Sequence, residues 1–146
     1  MKKLLPLSIL LITSCSNEAP QPVLEENRVV LDYSITEQDQ IHWVDVFSQE
    51  EERYMIYFYS ETCGYCRILK EDILNYYLLN KEKIYFIDAI KENATFKSPA
   101  NEMIGIKCID EFYIAGTPML VEFTNWTVTN LYSGVDNIKM YISGSC

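Results

Sequence analysis

The sequence has 146 residues, 49% of them hydrophobic, 13% aromatic and 23% charged, a balance that excludes a disordered or fibrous chain and fits one ordinary globular domain. At this size roughly two-thirds of the unfolded chain's surface can be buried, so a core needs no disulfide staple and the cysteines are free for chemistry. The formal net charge is -9, and -11 (10 Lys+Arg against 21 Asp+Glu) without Lys2 and Lys3, which argues against nucleic acid as a partner and against a basic patch as a membrane anchor.

The chain opens with Lys2-Lys3, an apolar run Leu4–Ile12 and small residues before Cys15, the pattern of a secretory signal. The run is far short of the ~20 residues of a permanent membrane-spanning helix. Its end, Ile12-Thr13-Ser14-Cys15, resembles the bacterial lipobox. That resemblance implies removal of residues 1–14, diacylation of Cys15 and a mature chain held to a membrane by lipid, on the periplasmic side or at the cell surface. The alternative is a plain cleaved signal, or an uncleaved anchor, with an incidental cysteine. Export would place the remaining cysteines where disulfides persist. Ser16 to Arg28 is polar, contains Pro20 and Pro22 and shows no periodicity, so residues 15–28 read as a lipidated N-terminus and a tether reaching ~40 Å. Residues 29–146 remain for the folded domain.

Val29 to Tyr33 predicts a short strand, and Thr36 caps a predicted helix to about Glu50 with Ile41, Val44 and Phe47 at i, i+3, i+6. Tyr54 to Tyr59 is a continuous apolar and aromatic run, the pattern of a central strand covered on both faces. From Cys63 to about Leu79, Ile68, Leu69, Ile73, Leu74 and Tyr77 recur at helical spacing, and Ile84 to Ile87 predicts another buried strand. Ser98-Pro99 opens a short helix and Ile106 to Tyr113 predicts a second helical piece. Met119 to Phe123 and Val128 to Tyr132 predict two strands around a turn at Asn125-Trp126, before a last amphipathic helix over Val135 to Ile142. The order β-α-β-α-β-α-β-β-α predicts an α/β fold: a central mixed sheet with helices on both faces.

Five cysteines stand at 15, 63, 66, 108 and 146, and their spacing gives them separate tasks. Cys63-Gly64-Tyr65-Cys66 opens a helix directly after a strand. At a helix N-terminus, unpaired N–H groups and the helix dipole favour a thiolate, which makes Cys63 the nucleophile. Cys66, one turn inward and less accessible, is placed to resolve a mixed disulfide. A zinc site would need four ligands, yet Cys108 and Cys146 form no second Cys-x-x-Cys pair and His42 is the only histidine, so no metal and no cofactor is expected. A purely structural bridge between Cys63 and Cys66 would close too small a loop to stabilise much.

The segment Phe58-Tyr59-Ser60-Glu61-Thr62-Cys63-Gly64-Tyr65-Cys66 resembles the active-site strand and turn of the thioredoxin-like superfamily. Tyr113-Ile114-Ala115-Gly116-Thr117-Pro118 resembles the segment ending in that family's cis-proline, and Gly134 falls where the family has a glycine beside its substrate groove. The resemblance spans about Val29 to Ile142. It implies a thioredoxin-like fold, a cis Pro118 beside Cys63, a Thr117 backbone that pairs with an extended substrate strand, and Gly64, Tyr65 and Gly134 beside the bound segment. It departs from thioredoxin at Thr62, where thioredoxin has tryptophan, at Tyr57, where it has a buried aspartate, and at Gly64-Tyr65, which replace Gly-Pro. Cys-Gly-Tyr-Cys together with Thr before the proline is similar to the DsbC-like periplasmic disulfide isomerases and to related exported reductases.

The implied activity is thiol-disulfide exchange with exported proteins that carry disulfides, in the direction of reduction or isomerisation, with a membrane or extracytoplasmic redox partner restoring the dithiol. A second reading is a non-catalytic accessory or binding module on the same tether, serving peptide export or metal delivery. Copper delivery is disfavoured because no histidine follows the motif. Cys108 and Cys146 read either as a pair or as separate thiols. His42 reads as a surface residue, and Asn93-Ala94-Thr95 and Asn125-Trp126-Thr127 match the glycosylation pattern by coincidence if the lipobox is bacterial.

Overall fold

Alternation of side chains along Tyr54–Tyr59 organises the whole molecule, because both faces of this strand are buried. The computed structural model describes residues 30–144, so the signal, Cys15, the whole tether and Cys146 lie outside the described residues. The sheet has four strands: β1 (Arg53–Tyr59), β2 (Ile84–Asp88), β3 (Met119–Thr124) and β4 (Thr127–Ser133). Their order is β2-β1-β3-β4. β1 runs parallel to β2, with Tyr57 opposite Phe86, and antiparallel to β3, with Phe58 opposite Met119. β3 and β4 form an antiparallel hairpin with a register shift at Glu122/Phe123. Helix α1 (Gly64–Leu79) joins β1 to β2, and helix α2 (Val135–Ile142) follows β4. This strand-helix-strand unit followed by a hairpin and a helix is the thioredoxin-like fold.

Because successive side chains point to opposite faces, Tyr54, Ile56 and Phe58 enter one core and Met55, Tyr57 and Tyr59 the other. The second core is covered by α1, through Cys66, Leu69, Ile73 and Leu74 at i, i+3, i+7, i+8, and by Ile138 of α2. The first is covered by irregular chain and 3-10 turns carrying Trp43, Val46, Met103 and Phe112. Trp43 and Phe112 stack obliquely there, with centroids 5.3 Å apart. Helical layers thus lie on both faces, α-helical on one and 3-10 on the other. The hairpin turns through Asn125 and Trp126, both left-handed (φ 49 and 52), and the Trp126 indole N–H donates to the Gln49 carbonyl at 2.8 Å.

Five expectations need correction: the first strand, the helix after it, its cap, the helix over Ile106 to Tyr113 and the core placement of Ile68. Residues 30–32 form no strand, and the long helix to Glu50 is replaced by two 3-10 helices, Tyr33–Asp39 and Trp43–Asp45. The Asp32 side chain, not Thr36, caps the first; Thr36 is buried inside it with its hydroxyl on the Tyr33 carbonyl. The physical reason is competition for backbone groups: the Ile41 N–H donates to the Phe86 carbonyl at 3.0 Å, so the chain at Gln40–Ile41 pairs with the edge of β2 instead of coiling. The period of three in Ile41, Val44 and Phe47 does not mark a buried α-face either, for Val44 is exposed while Trp43 and Val46 are buried. The helix expected over Ile106 to Tyr113 shrinks to Ile109–Glu111, because Gly105 and Ile106 exchange hydrogen bonds with Val128 and extend the outer edge of β4. Finally, Ile68 does not enter the core of α1 but stands 60% exposed. Ser98-Pro99 does open a turn, Ala100–Met103, of 3-10 type. Among the described residues no helix is long and apolar enough to cross a membrane.

Candidate active site

Strand β1 ends at Tyr59, and a tight turn closed by the Cys63 N–H on the Ser60 carbonyl (3.1 Å) delivers Cys63 to the N-cap of α1. Thr62 and Ser60 link hydroxyls at 3.0 Å within this turn. Cys63 has extended backbone (φ -79, ψ 118), and its sulfur accepts the Cys66 N–H at 3.2 Å, the interaction an N-cap side chain makes with an orphan donor of the first turn. Cys66 points inward and is 1% exposed, packed with Leu69, Tyr57 and Leu120, while Cys63 stays partly accessible.

Register places the second half of the site. Met119 opposes Phe58 near the end of β1, so the preceding Thr117-Pro118 lies against the Cys63 turn, and the Thr117–Pro118 peptide is cis, in agreement with the expectation. The Cys63 thiol meets the Thr117 carbonyl at 3.3 Å. The Pro118 carbonyl in turn accepts the Gly134 N–H at 3.1 Å, and Gly134 (φ 82) caps α2 in a conformation that suits glycine. One chain of contacts therefore runs Cys63, Thr117-Pro118, Gly134, α2.

Partial burial of Cys63 acts to raise its pKa, but hydrogen bonds from the Cys66 thiol, the Thr117 side chain and the N–H groups of Cys66 and Tyr65 outweigh it and leave Cys63 below the ordinary thiol value. Burial, and then the hydrogen bond given to Cys63, push Cys66 up to about 11. Hydrogen-bond donors, not cations, do the lowering. Lys70 is engaged by Asp32 at 2.7 Å and Lys91 by Glu61 at 2.6 Å.

An open groove of about 450 Å³ runs along Thr117-Pro118, whose Thr117 carbonyl is the group that meets the Cys63 thiol. Of the residues expected to touch substrate, Tyr65, Thr117, Pro118 and Gly134 line it, and Gly64 does not. Sequence reasoning missed Ile68, Val135 and Asp136, which also line it. For Ile68 the signal existed as an apolar residue of α1, and only its assignment to the core was wrong. Tyr33 was also missed; it sits in the core with Cys66 and with Tyr57, the residue standing where thioredoxin has its buried aspartate. A larger hollow of about 750 Å³ between the ends of α1 and α2 contains no cysteine. Among the described residues no cluster of three or more His, Cys, Asp or Glu is placed to hold a metal. His42 is an exposed N-cap residue facing Glu92 at 3.1 Å, and Cys108 is an exposed thiol.

No protein-family model matches the sequence, and no curated protein matches it. Among solved structures, the chain is similar to thioredoxin f2 of Chlamydomonas reinhardtii at 15% identity, over 70% of this chain and 88% of that one, with a TM-score of 0.48. It is similar to mitochondrial thioredoxin 3 of Saccharomyces cerevisiae at 11% identity, over 71% and 90%, with a TM-score of 0.49. Thioredoxin of Malassezia sympodialis gives 18% identity, 72% and 89%, and 0.49. The thioredoxin-like assignment rests on this chain's own strand order, register and helix placement.

Proposed function

We propose that this chain is a thiol-disulfide oxidoreductase that reduces or isomerises disulfides in exported proteins from a lipid anchor at Cys15. The observation that carries the reading is the asymmetry of the dithiol: Cys63 is accessible, capped by N–H donors and held below the ordinary thiol pKa, whereas Cys66 is sealed and raised. The Cys63 thiolate attacks one sulfur of a client disulfide, the client S–S bond breaks, and the departing client thiolate takes a proton from solvent. Cys66 then loses its proton and attacks the Cys63 sulfur, releasing the second client thiol. The client gains two electrons, the dithiol becomes a disulfide, and an extracytoplasmic redox partner returns the electrons. Isomerisation stops after the first attack, when a second client thiol displaces Cys63.

Thiolate stabilisation by hydrogen bonds, with Lys70 and Lys91 occupied by carboxylates, supports a reducing or isomerising direction over strong oxidation. A measured potential near about -120 mV would overturn that direction. The site itself is tested by trapping. Cys66→Ala accumulates mixed disulfides with exported proteins, and Cys63→Ser accumulates none; if client disulfides turn over normally in cells carrying Cys63→Ser, catalysis is ruled out and a tethered binding module remains. The anchor is tested by fatty-acid labelling, which Cys15→Ser abolishes.

A further inference from the structure

The groove beside Cys63 has one charged lining residue, Asp136, in the first turn of α2. The nearest cation along the helix, Lys139, feels the Asp136 charge but spends its ion pair on Asp72 at 2.8 Å. Across the groove stand Tyr65 and Ile68, large apolar side chains left 68% and 60% exposed. Between them the floor is low: a Cβ built on Gly116 or Gly134 would meet nothing within 4 Å, so backbone of an incoming chain can approach closely. Exposed apolar surface concentrated beside a reactive sulfur, with an uncovered carboxylate at the far rim, is complementary to a segment of defined composition.

Resting on the disulfide-exchange reading above, we propose that this groove selects an extended client segment bearing an apolar side chain next to its cysteine and a Lys or Arg beyond it. Tyr65 and Ile68 cover the apolar side chain, and Asp136 receives the cation. Asp136 is a specificity residue, in contact with substrate but not with the reacting sulfurs. The net charge of -9 attracts cationic clients from any direction, so a local effect of Asp136 has to be separated from this general field.

The protein, reduced to the dithiol and freed of reductant, serves as the two-electron donor in single-turnover reactions with symmetric peptide disulfides. These carry Leu beside the cysteine and Arg, Gln or Glu beyond it. Each rate constant is divided by that of free dithiothreitol with the same peptide, which removes the intrinsic effect of peptide charge on the disulfide. The Arg peptide is expected to exceed the Gln peptide by about two- to five-fold at low salt, the range of one exposed ion pair, and the Glu peptide to fall below it. Asp136→Asn lowers the ratio to the remainder set by the general field, and Asp136→Lys inverts it. Glu52→Gln, which changes net charge equally at the opposite end of β1, ~20 Å from Cys63, retains it. Equal rates for the Arg and Gln peptides in the wild type, or a ratio that Asp136→Asn changes no more than Glu52→Gln does, overturn the specificity while the exchange reading stands. Failure to reduce any of the peptides overturns both.

Discussion

The N–H of Cys66 and the sulfur of Cys63 face each other at 3.2 Å, so one interaction both closes the start of α1 and favours the Cys63 thiolate. Capping and activation are the same contact. Serine is a good N-cap, so Cys63→Ser removes the nucleophile while keeping the helix start, and loss of activity in that variant reports chemistry instead of unfolding.

The two thiols are expected to alkylate in widely separated pH ranges. Iodoacetamide labels Cys63 at a pH below that of a free cysteine, with the rate rising to a plateau as the thiolate fills, because its pKa is lowered. Cys66 stays a protonated thiol through neutral pH and reacts only as pH approaches about 11. Peptide mapping of singly labelled protein checks this; equal labelling of both cysteines at neutral pH refutes it.

Thr117→Val keeps the shape of the side chain and deletes a hydrogen bond that favours the Cys63 thiolate. The Cys63 pKa is expected to rise toward the ordinary thiol value. Titration of thiolate absorbance in the ultraviolet measures it, and an unchanged midpoint would show that the backbone N–H groups suffice.

Tyr57 is fully buried, and its hydroxyl faces that of Tyr33 without a well-formed hydrogen bond. Deleting an unsatisfied polar atom costs nothing, so Tyr57→Phe is expected to leave stability unchanged or raise it by up to about 1 kcal/mol. Tyr57→Ala, which also empties the space of a ring stacked near Tyr59, should cost about 3–5 kcal/mol. Urea denaturation separates the two; a loss above 1 kcal/mol for Tyr57→Phe would mean the hydroxyl is bonded.

Asp39 is buried and receives hydrogen bonds from Lys83 and, at 2.7 Å, from the Tyr77 hydroxyl, tying the first 3-10 turn to α1 and to the start of β2. Lys83 is the more exposed partner, so the two deletions are unequal. Lys83→Met strands a buried carboxylate and should cost about 3 kcal/mol, whereas Asp39→Ala leaves an ammonium that water can reach and should cost about 1–2 kcal/mol. Equal losses in chemical denaturation would contradict this account.

The alternation and length of Tyr54–Tyr59, the apolar spacing along α1 and the hairpin around Asn125-Trp126 were legible in the sequence because local periodicity decides them. So was the dithiol, since two cysteines three apart at a strand-helix junction have few other uses. The approach of Thr117-Pro118 to Cys63 followed from family resemblance alone. The residues before β1 and before the Ile109–Glu111 turn were misread because their apolar spacing fits both an α-helix and a 3-10 turn, and the choice falls to distant carbonyls of Phe86 and Val128. Likewise Ile68 and Asp136 look like an ordinary core residue and an ordinary helix-surface residue in one dimension. Chain order alone determined which residues can form strand, helix and dithiol; folding decided which surfaces meet, because the register of β1 with β3 and the Pro118 to Gly134 hydrogen bond join segments more than fifty residues apart from the cysteines they serve.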